Sequence, residues 1–114
     1  MKRFILYFLF ISSFLYGALI TPSNGSNLRY RHILFEWEQE PNAQSYHLEV
    51  SNNQLFLDLV LSIEQYSTIY INTEDFDWNS QYYWRVRPID IDGNYGQWIG
   101  VAIFSTEGTT LPNL

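Results

Sequence analysis

The segment from Tyr82 to Ile89 constrains the fold most. Tyr82, Trp84 and Val86 alternate there with Tyr83, Arg85 and Arg87. A period of two puts one set on each face of a strand, so one face is apolar and the other polar. The pattern recurs elsewhere. Ile33, Phe35 and Trp37 alternate with Leu34, Glu36 and Glu38. Tyr46, Leu48 and Val50 are expected to face a core, while His47, Glu49 and Ser51 are expected to face solvent.

The other segments are equally short and lie between turn residues. Leu19-Ile20-Thr21 is stopped by Pro22, and Pro22-Ser23-Asn24-Gly25-Ser26-Asn27 reads as a turn. The run from Leu55 to Leu61 is nearly all apolar, so alternation leaves its register open. As an edge strand it would be guarded against edge-to-edge pairing by Asp58. Further strands are expected at about Ser67 to Ile71 and about Ile99 to Thr106, with an acidic connection from Asn72 to Gln81. Asp90-Ile91-Asp92-Gly93-Asn94-Tyr95-Gly96 reads as a hairpin loop. No stretch carries a helical period. Seven strands without crossover helices predict two stacked antiparallel sheets.

Composition agrees. Aromatic residues make up 18% of the chain and favour pleated, half-buried surfaces. The chain has no cysteine, which removes disulfides, thiolate nucleophiles and thiolate zinc sites together. Setting aside Lys2 and Arg3, four arginines stand against 12 acids, a balance of −8. Such a surface repels phosphate backbones and anionic lipid, so nucleic acid is excluded as a partner.

The first residues have the order of a secretory signal peptide. Met1-Lys2-Arg3 is basic, Phe4 to Leu15 is mostly apolar, and Tyr16-Gly17-Ala18 brings small residues. The apolar run is shorter than the roughly 20 residues of a membrane span, with an uncleaved anchor as the alternative. The expected organisation is a signal peptide at 1–17, a β-domain at 18–107, and the start of a linker or tail at 108–114. Export would place the protein outside the cell or on its surface, with membrane contact only through the signal segment.

Several motifs together resemble fibronectin type III domains, particularly bacterial extracellular ones. Phe35-Glu36-Trp37 is similar to the motif of the second strand, and Ala43 through Ser51 to the third strand. Phe76, then Tyr82, then Trp84-Arg85-Val86 resemble the corner between strands E and F and strand F itself. Asp92-Gly93 through Trp98, then Phe104-Ser105-Thr106, resemble the F–G hairpin and strand G. The resemblance implies a seven-stranded immunoglobulin-like sandwich with no cofactor and no catalytic residues. It assigns structural roles to Trp37 and Trp84 and gives Tyr82 a corner role, its hydroxyl bonding nearby backbone. It also implies strand F beside strand C, which would set Arg85 and Arg87 opposite Glu49 and His47. The adhesive Arg-Gly-Asp tripeptide of some members is not present in the Asp92-Gly93-Asn94-Tyr95-Gly96 loop.

Candidate chemistry is sparse. Glu36 and Glu38 would stand about 7 Å apart on one strand face, within the range of paired-carboxylate hydrolysis, but a solvated outer face accounts for them. Asp90, Asp92 and Asn94 alternate as oxygen ligands do, yet the EF-hand glycine and glutamate are out of place and an Asx-stabilised turn fits better. His32 and His47 are the only histidines, and no spacing joins either to a serine and an acid as a triad. Tyr83, Arg85 and Arg87 make one candidate ligand-binding face, since Arg and Tyr are common anchors. Tyr95 and Trp98 flank the hairpin tip and make a second, an aromatic platform able to stack on a sugar.

The expected function is a non-catalytic secreted or cell-surface module that binds protein or carbohydrate, or spaces domains in a larger secreted protein. One alternative is an accessory domain preceding a secreted polysaccharide-degrading or sulfate-transferring enzyme. Another is a structural surface subunit that self-associates along Leu55–Leu61.

Overall fold

The computed structural model describes residues 18–74 and 76–108. The expected signal segment and residues 109–114 lie outside them. Eight strands are described: β1 (Leu19–Thr21), β2 (Ser26–Leu28), β3 (Ile33–Trp37), β4 (Ser45–Ser51), β5 (Leu59–Gln65), β6 (Ile69–Asn72), β7 (Ser80–Ile89) and β8 (Ala102–Thr106). One sheet has the order β1-β3-β6 and the other β2-β8-β7-β4-β5.

The alternating residues build the core between the sheets. Ile33, Phe35 and Trp37 from β3 meet Tyr46, Leu48 and Val50 from β4 and Tyr82, Trp84 and Val86 from β7. Phe35 lies at the centre, edge-on to Phe76, Trp84 and Phe104 with ring centroids 6.3, 5.2 and 5.9 Å away. Edge-to-face pairs of this kind contribute beyond the area they bury. The amide of Asp77 donates to the Tyr82 hydroxyl at 2.9 Å, which ties the β6–β7 corner to the core.

Seven antiparallel strands become eight, with one parallel pair. The expected turn from Pro22 to Asn27 contains the start of β2, which runs parallel to β8 with Ser26 opposite Phe104. No crossover helix is needed because nearly the whole domain connects these two strands. Gly25, at φ 86°, donates its amide to the Ile103 carbonyl, while Asn24 Oδ1 accepts from the Ile103 amide. That positive φ is the glycine's specific contribution.

The apolar run Leu55–Leu61 is not the strand as bounded. The pairing strand is Leu59–Gln65, registered as Val50 opposite Leu61 and Tyr46 opposite Gln65. Residues 52–58 form a closed loop instead. Asn53 Oδ1 accepts from the amides of Leu55 and Leu57, and Ser51 Oγ donates to the Asp58 carbonyl. Asp58 therefore closes a loop and does not guard a strand edge. The ends of other strands move by smaller amounts: β8 begins at Ala102, and β7 takes in Ser80 and Gln81 from the expected connection.

The outer face of β4 is covered and not in solvent. His47 and Glu49 were expected in solvent, yet they are only 6% and 9% exposed, and Ser51 is fully buried. They do point away from the core. Other parts of the chain fold over them.

Candidate functional site

Alternation along β7 sends Tyr83, Arg85 and Arg87 to the outer face of the larger sheet. The register sets Arg85 opposite Glu49, Arg87 opposite His47 and Tyr83 opposite Ser51. Arg85 donates to Glu49 Oε1 from both Nε and Nη2, at 3.0 and 2.8 Å. Arg87 Nε donates to Nδ1 of His47 at 3.0 Å.

The hairpin after β7 then folds over this face. Asp90 Oδ1 accepts from the amides of Asp92 and Asn94, both at 2.9 Å. The Asn94 hydrogen bond, ahead of those from Asp92 and Gly93, holds the Asp90 carboxyl below the usual carboxylate range. Its oxygens thus build an Asx turn. Among the described residues no group of three or more His, Asp or Glu is placed to hold a metal ion. The Gly96 amide donates to the Pro88 carbonyl, and a Cβ at Gly96 would stand 2.8 Å from Pro88 Cγ. Only glycine admits so close a return.

This path brings Trp98 and Tyr95 onto the two arginines. The Arg85 guanidinium lies 3.9 Å from the Phe56 ring centroid and 3.9 Å from that of Trp98. The Arg87 guanidinium lies 4.3 Å from Trp98 and 3.7 Å from Tyr95. The arginines stand about 7 Å apart along the strand, so the Trp98 ring sits between them. The result is a ladder in the order Phe56, Arg85, Trp98, Arg87, Tyr95. Tyr95 closes its end by donating to Glu64 Oε2 at 2.5 Å, which raises the phenol's pKa. Planar guanidinium stacks on aromatic faces in a way that lysine does not reproduce.

Four of the five candidate ligand-binding residues thus form one assembly: Arg85, Arg87, Tyr95 and Trp98. Tyr83 sits on the same face, where its hydroxyl donates to Gln81 Oε1. The enclosed Trp98 ring has no free face for a sugar, whereas Tyr95 is 51% exposed. Phe56 in the ladder, Glu64 at its end and Ser62, whose hydroxyl lies 2.9 Å from His47 Nε2, are residues that sequence reasoning missed. Phe56 was one apolar residue in a run of them, and nothing local marked it.

The remaining candidates stay apart. Glu36 is on β3 in the other sheet, and Glu38 follows that strand. His32 is exposed just before β3, away from His47. A recess of about 340 Å³ at the hairpin end is lined by Glu40, Pro88, Gln97, Trp98 and Ile99.

No family model matches this sequence, and comparison with curated proteins gives no relative. Solved structures do match in fold. An Fn3-like protein from Clostridium thermocellum is 19% identical with a TM-score of 0.58, covering 80% of this chain and 93% of that one. An α-L-rhamnosidase from Streptomyces avermitilis, solved with L-rhamnose, is 15% identical with a TM-score of 0.60. A β-1,2-glucanase from Parabacteroides distasonis is 18% identical with a TM-score of 0.59. The similarity covers 80% and 83% of this chain but only 10% and 13% of those two enzymes. This chain is an all-β, two-sheet sandwich structurally related to a bacterial Fn3-like protein.

Proposed function

We propose that this chain is a non-catalytic, exported β-sandwich module that spaces or attaches other domains of a larger extracellular protein. One observation carries the reading. The outer face of the larger sheet is closed by its own side chains, from Phe56 through Arg85, Trp98 and Arg87 to Tyr95. A face locked in this way makes a stiff body, and its arginines are engaged with Glu49 and His47 in place of a substrate. His47 does lie beside Ser62 and Glu49, but it is buried, and its Nδ1 accepts from Arg87 where a hydrolytic triad would place its acid.

Replacement tests it. In the native polypeptide, exchanging the module for an unrelated sandwich of equal length preserves function if the module spaces, and abolishes it if the module binds. Loss of function with no ligand found in solution, or hydrolytic activity of the purified chain, would count against the reading. Export is tested separately by locating the full chain with an antibody in cell fractions and medium.

A second reading is favoured by the two matched enzymes, an α-L-rhamnosidase and a β-1,2-glucanase. On it the module accompanies a polysaccharide-degrading domain and touches glycan at the hairpin end. The recess is lined by Gln97 and Trp98, which offer an amide and an indole, and Tyr95 of the same hairpin is exposed. Affinity electrophoresis in gels containing β-glucans or rhamnose-rich polysaccharides should then retard the chain, and Tyr95→Ala or Gln97→Ala should relieve the retardation. Equal mobility in every gel sinks this reading.

A further inference from the structure

His47 lies under the middle of the ladder. It is 6% exposed and meets side chains from β5, β7 and the hairpin. Its Nδ1 accepts from Arg87 Nε at 3.0 Å. Arginine has donors only, so Nδ1 carries no proton and the ring is the neutral tautomer with hydrogen on Nε2. That nitrogen stands 2.9 Å from Ser62 Oγ on β5 and 3.6 Å from Glu49 Oε2 on β4. From the hairpin, the rings of Tyr95 and Trp98 approach to 5.6 and 5.4 Å. The charged groups facing His47 are Glu49 on its own strand, Glu64 on β5, and Arg85 and Arg87 on β7.

We propose that His47 is an acid-sensitive latch for the hairpin of residues 90–98. A proton taken from solvent onto Nδ1 turns the hydrogen bond from Arg87 into two donors face to face, each on a cation. Arg87 must then leave His47. Tyr95 and Trp98 rest on that guanidinium, at 3.7 and 4.3 Å, and lose it together. Tyr95 keeps its bond to Glu64 and the Asp90 turn keeps its shape, so the hairpin loosens and does not unfold. Burial, aided by Arg87 and Arg85 and opposed by Glu49 and Glu64, holds the His47 pKa below its ordinary 6.5. The latch therefore stays shut at neutral pH and opens on acidification below 6.5. It rests on the contact of His47 with Arg87, which neither the spacing nor the binding reading uses for its test, so its failure leaves both untouched.

NMR of the full chain tests the latch, following the His47 ring and the amides of residues 90–98 from about pH 8 to about pH 5, above the ordinary range of carboxylates. The expected result is an Nε2–H tautomer at the upper end, a His47 midpoint below 6.5, and hairpin amide shifts with that same midpoint. Hydrogen-exchange protection of the hairpin should fall roughly tenfold for each unit by which the midpoint lies below 6.5. His47→Gln keeps an acceptor for Arg87 but cannot titrate, so its hairpin should not respond to pH. His32→Gln should respond like the parent. Hairpin amides that ignore the His47 midpoint, a midpoint at or above 6.5, or a response surviving in His47→Gln would each overturn the latch. If His47→Gln does not fold, the parent's own ring and amide titrations decide.

Discussion

Arg85 directs two N–H groups, Nε and Nη2, to a single oxygen of Glu49 on the neighbouring strand, at 3.0 and 2.8 Å. The pair lies mostly out of water, with side chains 24% and 11% exposed. It anchors the ladder because it fixes the plane on which Phe56 and Trp98 stack.

Glu49→Gln should destabilise the domain by about 3 kcal/mol, since removing one partner leaves a largely buried cation uncompensated. Adding Arg85→Met should recover part of that loss by removing the stranded charge. Urea unfolding of the two single variants and the double variant gives the coupling directly; strictly additive losses would show that the pair contributes nothing as a pair.

Trp98→Ala removes the ring shared by two guanidiniums. Each desolvated cation–π contact contributes up to about 2 kcal/mol, so a loss of about 2–4 kcal/mol is expected once lost burial is included. Trp98→Phe should recover about half of it. Arg87→Lys should resemble the alanine variant more than the parent, because an ammonium cannot stack on two rings at once. Chemical denaturation checks all three.

Tyr82→Phe should cost about 1 kcal/mol, the net contribution of one hydrogen bond, as the Asp77 amide loses its acceptor. Hydrogen exchange at Asp77 should quicken while the ladder amides are unaffected. A change of equal size in both regions would mean that the hydroxyl does more than tie the corner.

Stability should depend on pH through His47. Its pKa in the folded state lies below 6.5, mainly through burial. Between that value and 6.5 the unfolded chain binds more protons than the folded one, so stability rises with pH across this window. The contribution is complete above 6.5 and is lost as pH falls through the folded value. Thermal midpoints at about pH 7.5 and about pH 5.5 should differ in the parent by more than in His47→Gln.

Much of the fold could be read from residue order. Alternation in Tyr82–Val86, Tyr46–Val50 and Ile33–Trp37 fixes which side chains meet in the core, because a period of two leaves a strand one apolar face. Register was legible only where alternation was clean. In Leu55–Leu61 all positions but Asp58 are apolar, so periodicity does not show that the strand begins only at Leu59. The loop is set by the Asn53 side chain, which bonds the Leu55 and Leu57 amides and holds the chain out of the ladder until Leu59. Strand β2 was hidden for another reason. Ser26-Asn27-Leu28 has turn composition, and its partner β8 lies at the far end of the chain.

The sequence by itself determined a two-sheet sandwich, and its local signals named Tyr83, Arg85 and Arg87 by strand alternation and Tyr95 and Trp98 by their place beside the hairpin tip. Only the tertiary structure decided what those residues do. The Asp90 turn and the close return at Gly96 swing Trp98 between two arginines that β7 holds about 7 Å apart, and Phe56 arrives from a separate loop. That convergence buries His47 and Glu49 on a face whose pattern predicted water, because burial depends on which distant segment folds over a strand and not on the strand's own alternation.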